Sequence, residues 1–175
     1  MVAVCAVGRV FLRTFKYVRE SLVEQKRAYR TFQCGNVVVW KSEFRGTLSA
    51  SEHPTVEIGN PPVFKGTPDV WCPEDLLIGA LNACLMLTFL YQMQRRKLEV
   101  LAYESSAQGT LEHRDGKHRV TRITVQPRIS LKYGQDIEPA REAIKDTVDS
   151  CMISNSILAS VQVDPQFDAP LKPAQ

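Results

Sequence analysis

Two cysteines stand out among the side chains able to do chemistry. Cys84 lies inside the apolar run LLIGALNACLMLTFL, and Cys151 opens CMISNSI, just past a second helical pattern. A thiolate is both nucleophile and oxidisable centre, so two such residues can be the halves of one redox site. Each also has a plainer reading, because free cysteine is among the most buried residue types and often packs as a small hydrophobe. Cys84, mid-helix on an apolar face, suits that reading. Cys151 is more suggestive, since Ser154, Asn155 and Ser156 follow it and can cap a new helix start. A thiol at a helix N-terminus has a lowered pKa and becomes more nucleophilic. The pattern by itself leaves an inert pair and a redox pair both open.

Other chemistry finds less support. The five cysteines (Cys5, Cys34, Cys72, Cys84, Cys151) are odd in number and irregular in spacing, which argues against a secreted disulfide framework. No CxxC occurs, and His53, His113 and His118 lack metal-site spacing, so neither a zinc site nor a cofactor is indicated. A Cys-His hydrolase is a poor reading because no histidine lies near either cysteine motif. A reducing, cytoplasmic setting fits the free cysteines. Residues 1–30 hold seven Lys/Arg against two Glu, more than the whole chain's net +3, so the body that follows is net acidic. A nucleic-acid binder needs clustered positive charge there, and a nucleic-acid partner is not expected. The run Leu76 to Leu90 is broken by Gly79, Asn82 and Thr88 and falls short of the ~20 apolar residues of a membrane span.

The elements that would position the cysteines can be read from periodicity. With 44% hydrophobic residues in 175, the chain suits one soluble domain with a sizeable core. Residues 1–34 form an amphipathic helical extension, with Val7, Phe11, Phe15, Val18 and Leu22 at helical spacing. Residues 1–19 contain no acidic side chain, which is compatible with a mitochondrial transit peptide. The preferred reading is a helix packed on the body or on a partner chain. The main domain spans 35–166. It opens with the strand-like runs NVVVW, FRGTLSA and TVEI, then a Pro/Gly-rich loop. Pro73 starts a helix reaching about Arg96, with Glu74 and Asp75 complementing its dipole. Leu77, Ala80, Leu81, Cys84, Leu87 and Thr88 are expected on one face. Two period-two arms flank RDGK, a hairpin signal, and Pro127 in the second arm suggests an edge or a bulge. A helix from Glu138 to about Ser150 and a strand SVQVD follow, and 167–175 is a Pro-rich extended tail. The order of elements makes an α+β domain.

Four of these pieces together resemble the OsmC/Ohr family of thiol-dependent peroxidases. The run WCPEDLLIGALNACLMLTFL is similar to its helix signature, a Pro-Glu pair with a cysteine ten residues after the glutamate. CMISNSI resembles its second cysteine motif, FRGTLSA its early Arg-Gly-Thr strand, and PPVFKG the loop before the helix. The resemblance covers about Val37 to Val163. Cys72 before the proline and Met152 after the second cysteine depart from the family pattern.

The resemblance implies an intertwined homodimer, with curved sheets around central helices and active sites at the interface. It implies Cys84 as the peroxidatic cysteine and Cys151 as the resolving one. Arg45 would hold the thiolate and the peroxide, and Glu74 would pair with that arginine. The implied reaction passes through a Cys84 sulfenic acid and a Cys84–Cys151 disulfide, reopened by a dithiol such as a lipoylated protein or a small dithiol. Apolar Leu81, Leu85, Leu87 and Phe89 around Cys84 suit an organic hydroperoxide. The runner-up is a non-catalytic dimer binding a small apolar ligand in the interface pocket. Helix geometry adds one constraint. Ten residues of helix span roughly 15 Å, so Glu74 cannot reach the Cys84 thiolate of its own chain directly. Either Arg45 bridges that gap or Glu74 serves the partner's site.

Overall fold

Asp115 and Gly116 turn the chain back on itself with φ of 52° and 70°. Positive φ at both central residues gives the twist that a two-residue hairpin needs, and Asp-Gly adopts it readily. The turn joins the two longest strands in this computed structural model, which describes residue 31, residues 33–132 and residues 137–168. Apart from residues 31, 33 and 34, the helical extension expected over 1–34 lies outside the described residues, as does the tail beyond Asp168.

A first sheet is an antiparallel meander of β1 (Val37–Ser42), β2 (Arg45–Ser49) and β3 (Val56–Gly59). A loop leads to α1 (Pro73–Arg95), and then come β4 (Val100–Arg114) and β5 (Lys117–Leu131). After α2 (Glu138–Ser150) the short strands β6 (Ser160–Val163) and β7 (Gln166–Asp168) both lie parallel to β5, completing the second sheet. The strand β7 falls partly in the segment read from the sequence as an extended tail. Its Asp168 bonds Arg128 Nε at 2.8 Å and accepts from Ser130 Oγ at 2.9 Å, which fastens the strand to β5.

Pro127 is neither at an edge nor on a bulge. It is fully buried in the middle of β5, opposite Ser105. The Val125 carbonyl accepts from Asp164 N at 2.9 Å, and alternate residues of a strand turn their backbone groups the same way. The nitrogen of Pro127 therefore faces the break between β6 and β7, where no ladder donor is required.

The central helix α1 begins on an unusual cap. Cys72 Sγ accepts from Asp75 N at 3.3 Å, with Pro73 at the first helical position. The helix ends in a Schellman arrangement, with Lys97 at φ 57° and Leu98 N bonded to Met93 O at 3.0 Å. Its buried stripe is Leu81, Leu85, Phe89, Gln92 and Met93. The expected face around Leu77, Ala80 and Leu87 is instead exposed. Apolar residues surround this helix, so periodicity does not choose which side meets the sheet. At 23 residues α1 is also long and apolar enough to cross a membrane, more so than the Leu76–Leu90 run suggests.

Two packed groups fill the space between α1 and the second sheet. Phe89 and Met93 meet Ile129, Leu131 and the α2 residues Ala140, Ala143 and Ile144. Leu81 and Leu85 meet Ile123, Val125 and Cys151. A fully buried side chain of this size contributes about 1.5–3 kcal/mol. The alternation of Ile123, Val125, Ile129 and Leu131 toward this core agrees with the sequence pattern. The second group brings the end of α2 beside the middle of α1.

Candidate active site

The sulfurs of Cys84 and Cys151 stand 3.2 Å apart as free thiols, although 67 positions separate them in the chain. The core packing explains the meeting. Leu81 and Leu85 bracket Cys84 on α1, and they pack in the same group as Cys151. Cys151 closes the last turn of α2 in extended conformation, with φ −70° and ψ 118°. The chain then curls through Ser154–Ser156, held by Asn155 N to Cys151 O at 3.0 Å.

The two thiols differ in acidity. Burial pushes Cys84 up, but the backbone N–H of Ile153, the Cys151 thiol, the Thr88 hydroxyl and the Met152 N–H all pull it down, and the result lies below the ordinary thiol value. Cys151 goes the other way. Burial raises it, the Ser154 N–H at 3.4 Å opposes, and the contact with Cys84 raises it further. This corrects the sequence expectation of an acidified Cys151. The following helix is a single 3-10 turn, and the Cys151 side chain is fully buried. Its S–H donates to Cys84. The pair is thus a sulfur of lowered pKa beside one of raised pKa.

Access matches acidity. Cys84 is half-buried and lines an open, mostly apolar groove of about 670 Å³ with Ala80, Ala83, Leu87, Thr88 and Met152. Cys151 has no exposed surface. A reagent arriving by the groove meets Cys84 first.

Arg45 and Glu74 are not brought to this pair within one chain. Arg45, on β2, forms an ion pair with Asp69, which raises its pKa further. It lines a separate hollow of about 230 Å³ with Phe44, Gly59 and Pro73. Glu74 lies at the start of α1, and its Oε2 is buried with no hydrogen-bond partner among the described residues. Such an oxygen carries an uncompensated desolvation penalty. Cys72 caps the same helix end, and burial with the Asp75 carboxylate beside it pushes its thiol to about 11.

The sequence reading gives four residues no role at the site, although it expects Thr88 on the same helix face as Cys84. Thr88 is one helical turn beyond Cys84, a spacing that by itself brings two side chains together. The N–H groups of Met152 and Ile153 leave no trace in residue type. Asp69 meets Arg45 only because two backbone bonds clamp the loop to β3, Trp71 N to Glu57 O at 3.2 Å and Gly59 N to Trp71 O at 3.0 Å.

Residues 66–166 match the family model described as OsmC-like protein. An uncharacterized Bacillus subtilis protein, YmaD, is 27% identical over 128 residues, which is 67% of this chain and 84% of the relative. Among solved structures, an OsmC-like protein of unknown function from Vibrio cholerae superposes with a TM-score of 0.72 at 19% identity, over 78% of this chain and 100% of the other. An organic hydroperoxide resistance protein from Elizabethkingia anophelis does so with a TM-score of 0.64 at 17% identity, over 79% and 97%. The α+β fold expected from the sequence is the fold these structures share.

Proposed function

The chain belongs to the OsmC-like protein family, and on that premise we propose that it is a homodimeric, thiol-dependent peroxidase of organic hydroperoxides. The observation that carries this reading is the thiol pair at 3.2 Å, with the sulfur of lowered pKa open to a groove and its neighbour buried with a raised pKa. The likeness in fold to a hydroperoxide resistance protein supports it.

The reaction follows from that asymmetry. The Cys84 thiolate attacks one oxygen of the hydroperoxide and the O–O bond breaks. The sulfur is oxidised to a sulfenic acid, and the departing alkoxide takes a proton and leaves as the alcohol. The Cys151 sulfur then attacks the Cys84 sulfur, water leaves, and a disulfide forms. The sulfurs need to close from 3.2 Å to roughly 2.0 Å, a movement within reach of side-chain rotation. An external dithiol, small or lipoyl-borne, exchanges with the disulfide and restores both thiols.

Three observations support a two-fold dimer around this site. Leu77, Leu87, Leu90 and Tyr91 on α1 are exposed, and an apolar helix needs cover on every side. The strand β1 exposes Val37, Val38, Val39 and Trp40. The buried oxygen of Glu74 lacks a partner within the described chain. A second copy would cover these faces isologously and bring Arg45 and Glu74 toward the opposite thiol pair. In that arrangement Arg45 stabilises the charge that develops on the peroxide oxygen.

The test is steady-state consumption of cumene hydroperoxide with a dithiol as reductant. Turnover is expected in the wild type, faster than with hydrogen peroxide, and it is lost in Cys84→Ser. Equal turnover in the variant would overturn the assignment. A wild type that consumes no hydroperoxide yet binds apolar ligands in the groove would favour the binding-protein reading.

A further inference from the structure

A closed ring of side chains straps the end of α2 to the end of α1, beside the thiol pair. Gln92 lies about two helical turns beyond Cys84, roughly 12 Å along α1, and it is buried although polar. Its amide reaches in two directions. Oε1 accepts from Arg96 Nη1 at 3.0 Å, and Nε2 donates to Ser150 Oγ at 3.3 Å. Ser150 Oγ donates in turn to Asp146 O. The Asp146 carboxylate pairs with the Arg96 guanidinium, which closes the ring. Arg96 offers only donors, so the amide must face it with its oxygen, and the amide nitrogen is left for Ser150.

Ser150 immediately precedes Cys151. Its bond to Gln92 and the contact of Cys151 with Cys84 at 3.2 Å fix the end of α2 on α1 at two points. Cys151 has already left the helix, with ψ 118°, so the bond at Ser150 is the last side-chain anchor of α2 before it. Gln92 and Ser150 both line the groove into which Cys84 opens. Attack of one sulfur on the other needs the two held in register, and geometry fixed in advance raises the rate of such a step.

We infer that Gln92 is a positioning residue for the second sulfur. Through Ser150 it holds the end of α2 against α1, and so sets how quickly Cys151 captures an oxidised Cys84. Its part in turnover rests on the peroxidase reading, whereas the thiol pairing it controls can be measured with glutathione and no peroxide. In the capture step the Cys151 thiol attacks the Cys84 sulfenic acid, the S–S bond forms, the S–O bond breaks and the oxygen leaves as water. An uncaptured sulfenic acid faces the groove, where a second hydroperoxide oxidises it to a sulfinic acid and departs as the alcohol. The strap therefore protects Cys84 from overoxidation.

The experiment compares full-length wild type with Gln92→Met, Ser150→Ala and Ser150→Thr. After timed reaction with cumene hydroperoxide, peptide mass reads the dimedone-trapped sulfenic acid, the disulfide and the sulfinic acid at Cys84. Gln92→Met and Ser150→Ala are each expected to slow disulfide closure relative to sulfenic acid formation about fivefold, the weight of one ordinary hydrogen bond. Both also accumulate more sulfinic acid under excess hydroperoxide. Ser150→Thr keeps the hydroxyl and restores the wild-type ratio. Ser105→Ala is the control for general loosening, because it cuts the 2.6 Å bond to Asn82 that anchors α1 to β4 and spares the strap. Its ratio stays at the wild-type value. In parallel, the reduced proteins are equilibrated with glutathione disulfide. The yield of the Cys84–Cys151 disulfide, formed with release of two glutathione thiols, is expected to fall in Gln92→Met and Ser150→Ala and in neither of the others. If Gln92→Met does not fold, the contrast of Ser150→Ala with Ser150→Thr decides the matter. Wild-type ratios in Ser150→Ala, or an equal fall in Ser105→Ala, would overturn the inference. A wild type inert to hydroperoxide would end the peroxidase reading, and the glutathione series would then judge the strap.

Discussion

At Cys84 the neighbouring donors outweigh burial and lower the thiol's pKa, while at Cys151 burial prevails and raises it. In the proposed reaction the first sulfur attacks the peroxide and the second waits. Replacing the waiting sulfur separates the two steps. In Cys151→Ser, one equivalent of organic hydroperoxide is expected to convert Cys84 to a sulfenic acid that dimedone traps, with turnover stopping after one cycle. Wild-type turnover in that variant would mean that another thiol resolves the intermediate. The candidates are poor, because Cys72 points its sulfur at Asp75 N twelve residues before Cys84, roughly 18 Å along the axis. Little of this was legible in residue type. Sixty-seven positions of sequence carry no distance, so the pair emerged only through family resemblance. The small-polar stretch after Cys151 suggested an acidic thiol, and the opposite is found because it forms a single 3-10 turn beneath a buried side chain.

The helix α1 carries one thiol of lowered pKa and one of raised pKa, and their positions on the element explain the difference. Cys72 accepts from Asp75 N in the place where Ser, Thr, Asp or Asn usually caps a helix. Its thiol is raised from 9.0 to about 11, so the stability linked to keeping it neutral is fully present below pH 9 and is lost as pH rises through 11. Cys72→Ser should retain the cap and remove that alkaline loss, whereas Cys72→Ala should cost about 1 kcal/mol. Thermal melts at neutral pH and between pH 9 and 11 check both outcomes. Equal destabilisation by Ser and Ala would show that the sulfur's packing matters more than the cap. Element ends of this kind were legible in the sequence, since Pro73, Glu74 and Asp75 mark a helix start and Asp115-Gly116 a hairpin turn. The buried side of α1 was not, because apolar residues surround it and only the sheet's own stripe of Ile123, Val125 and Ile129 selects Leu81, Leu85 and Phe89. The strand β7 was missed because its three residues are too few to show a period.

Among the described residues, apolar side chains of α1 and β1 stay exposed in one chain. Leu87 on α1 is 63% exposed and Trp40 on β1 is 73% exposed. An obligate dimer burying at least about 2,000 Å² would cover surfaces of this kind. Light scattering at micromolar concentration is expected to give a dimer for the wild type, and Leu87→Glu should weaken it by placing a charge in an apolar contact. A stable wild-type monomer with full peroxidase activity would end the dimer proposal. The thiol pair, in contrast, is complete within one chain, and this sets the most direct test of the account. The reduced protein is treated with one equivalent of cumene hydroperoxide, denatured without reductant, and mapped by peptide mass. The account predicts a Cys84–Cys151 disulfide within each chain, with the subunits separating on denaturation. Cys84 bridged to Cys34 or Cys72, a disulfide between two chains, or both thiols left free would contradict it.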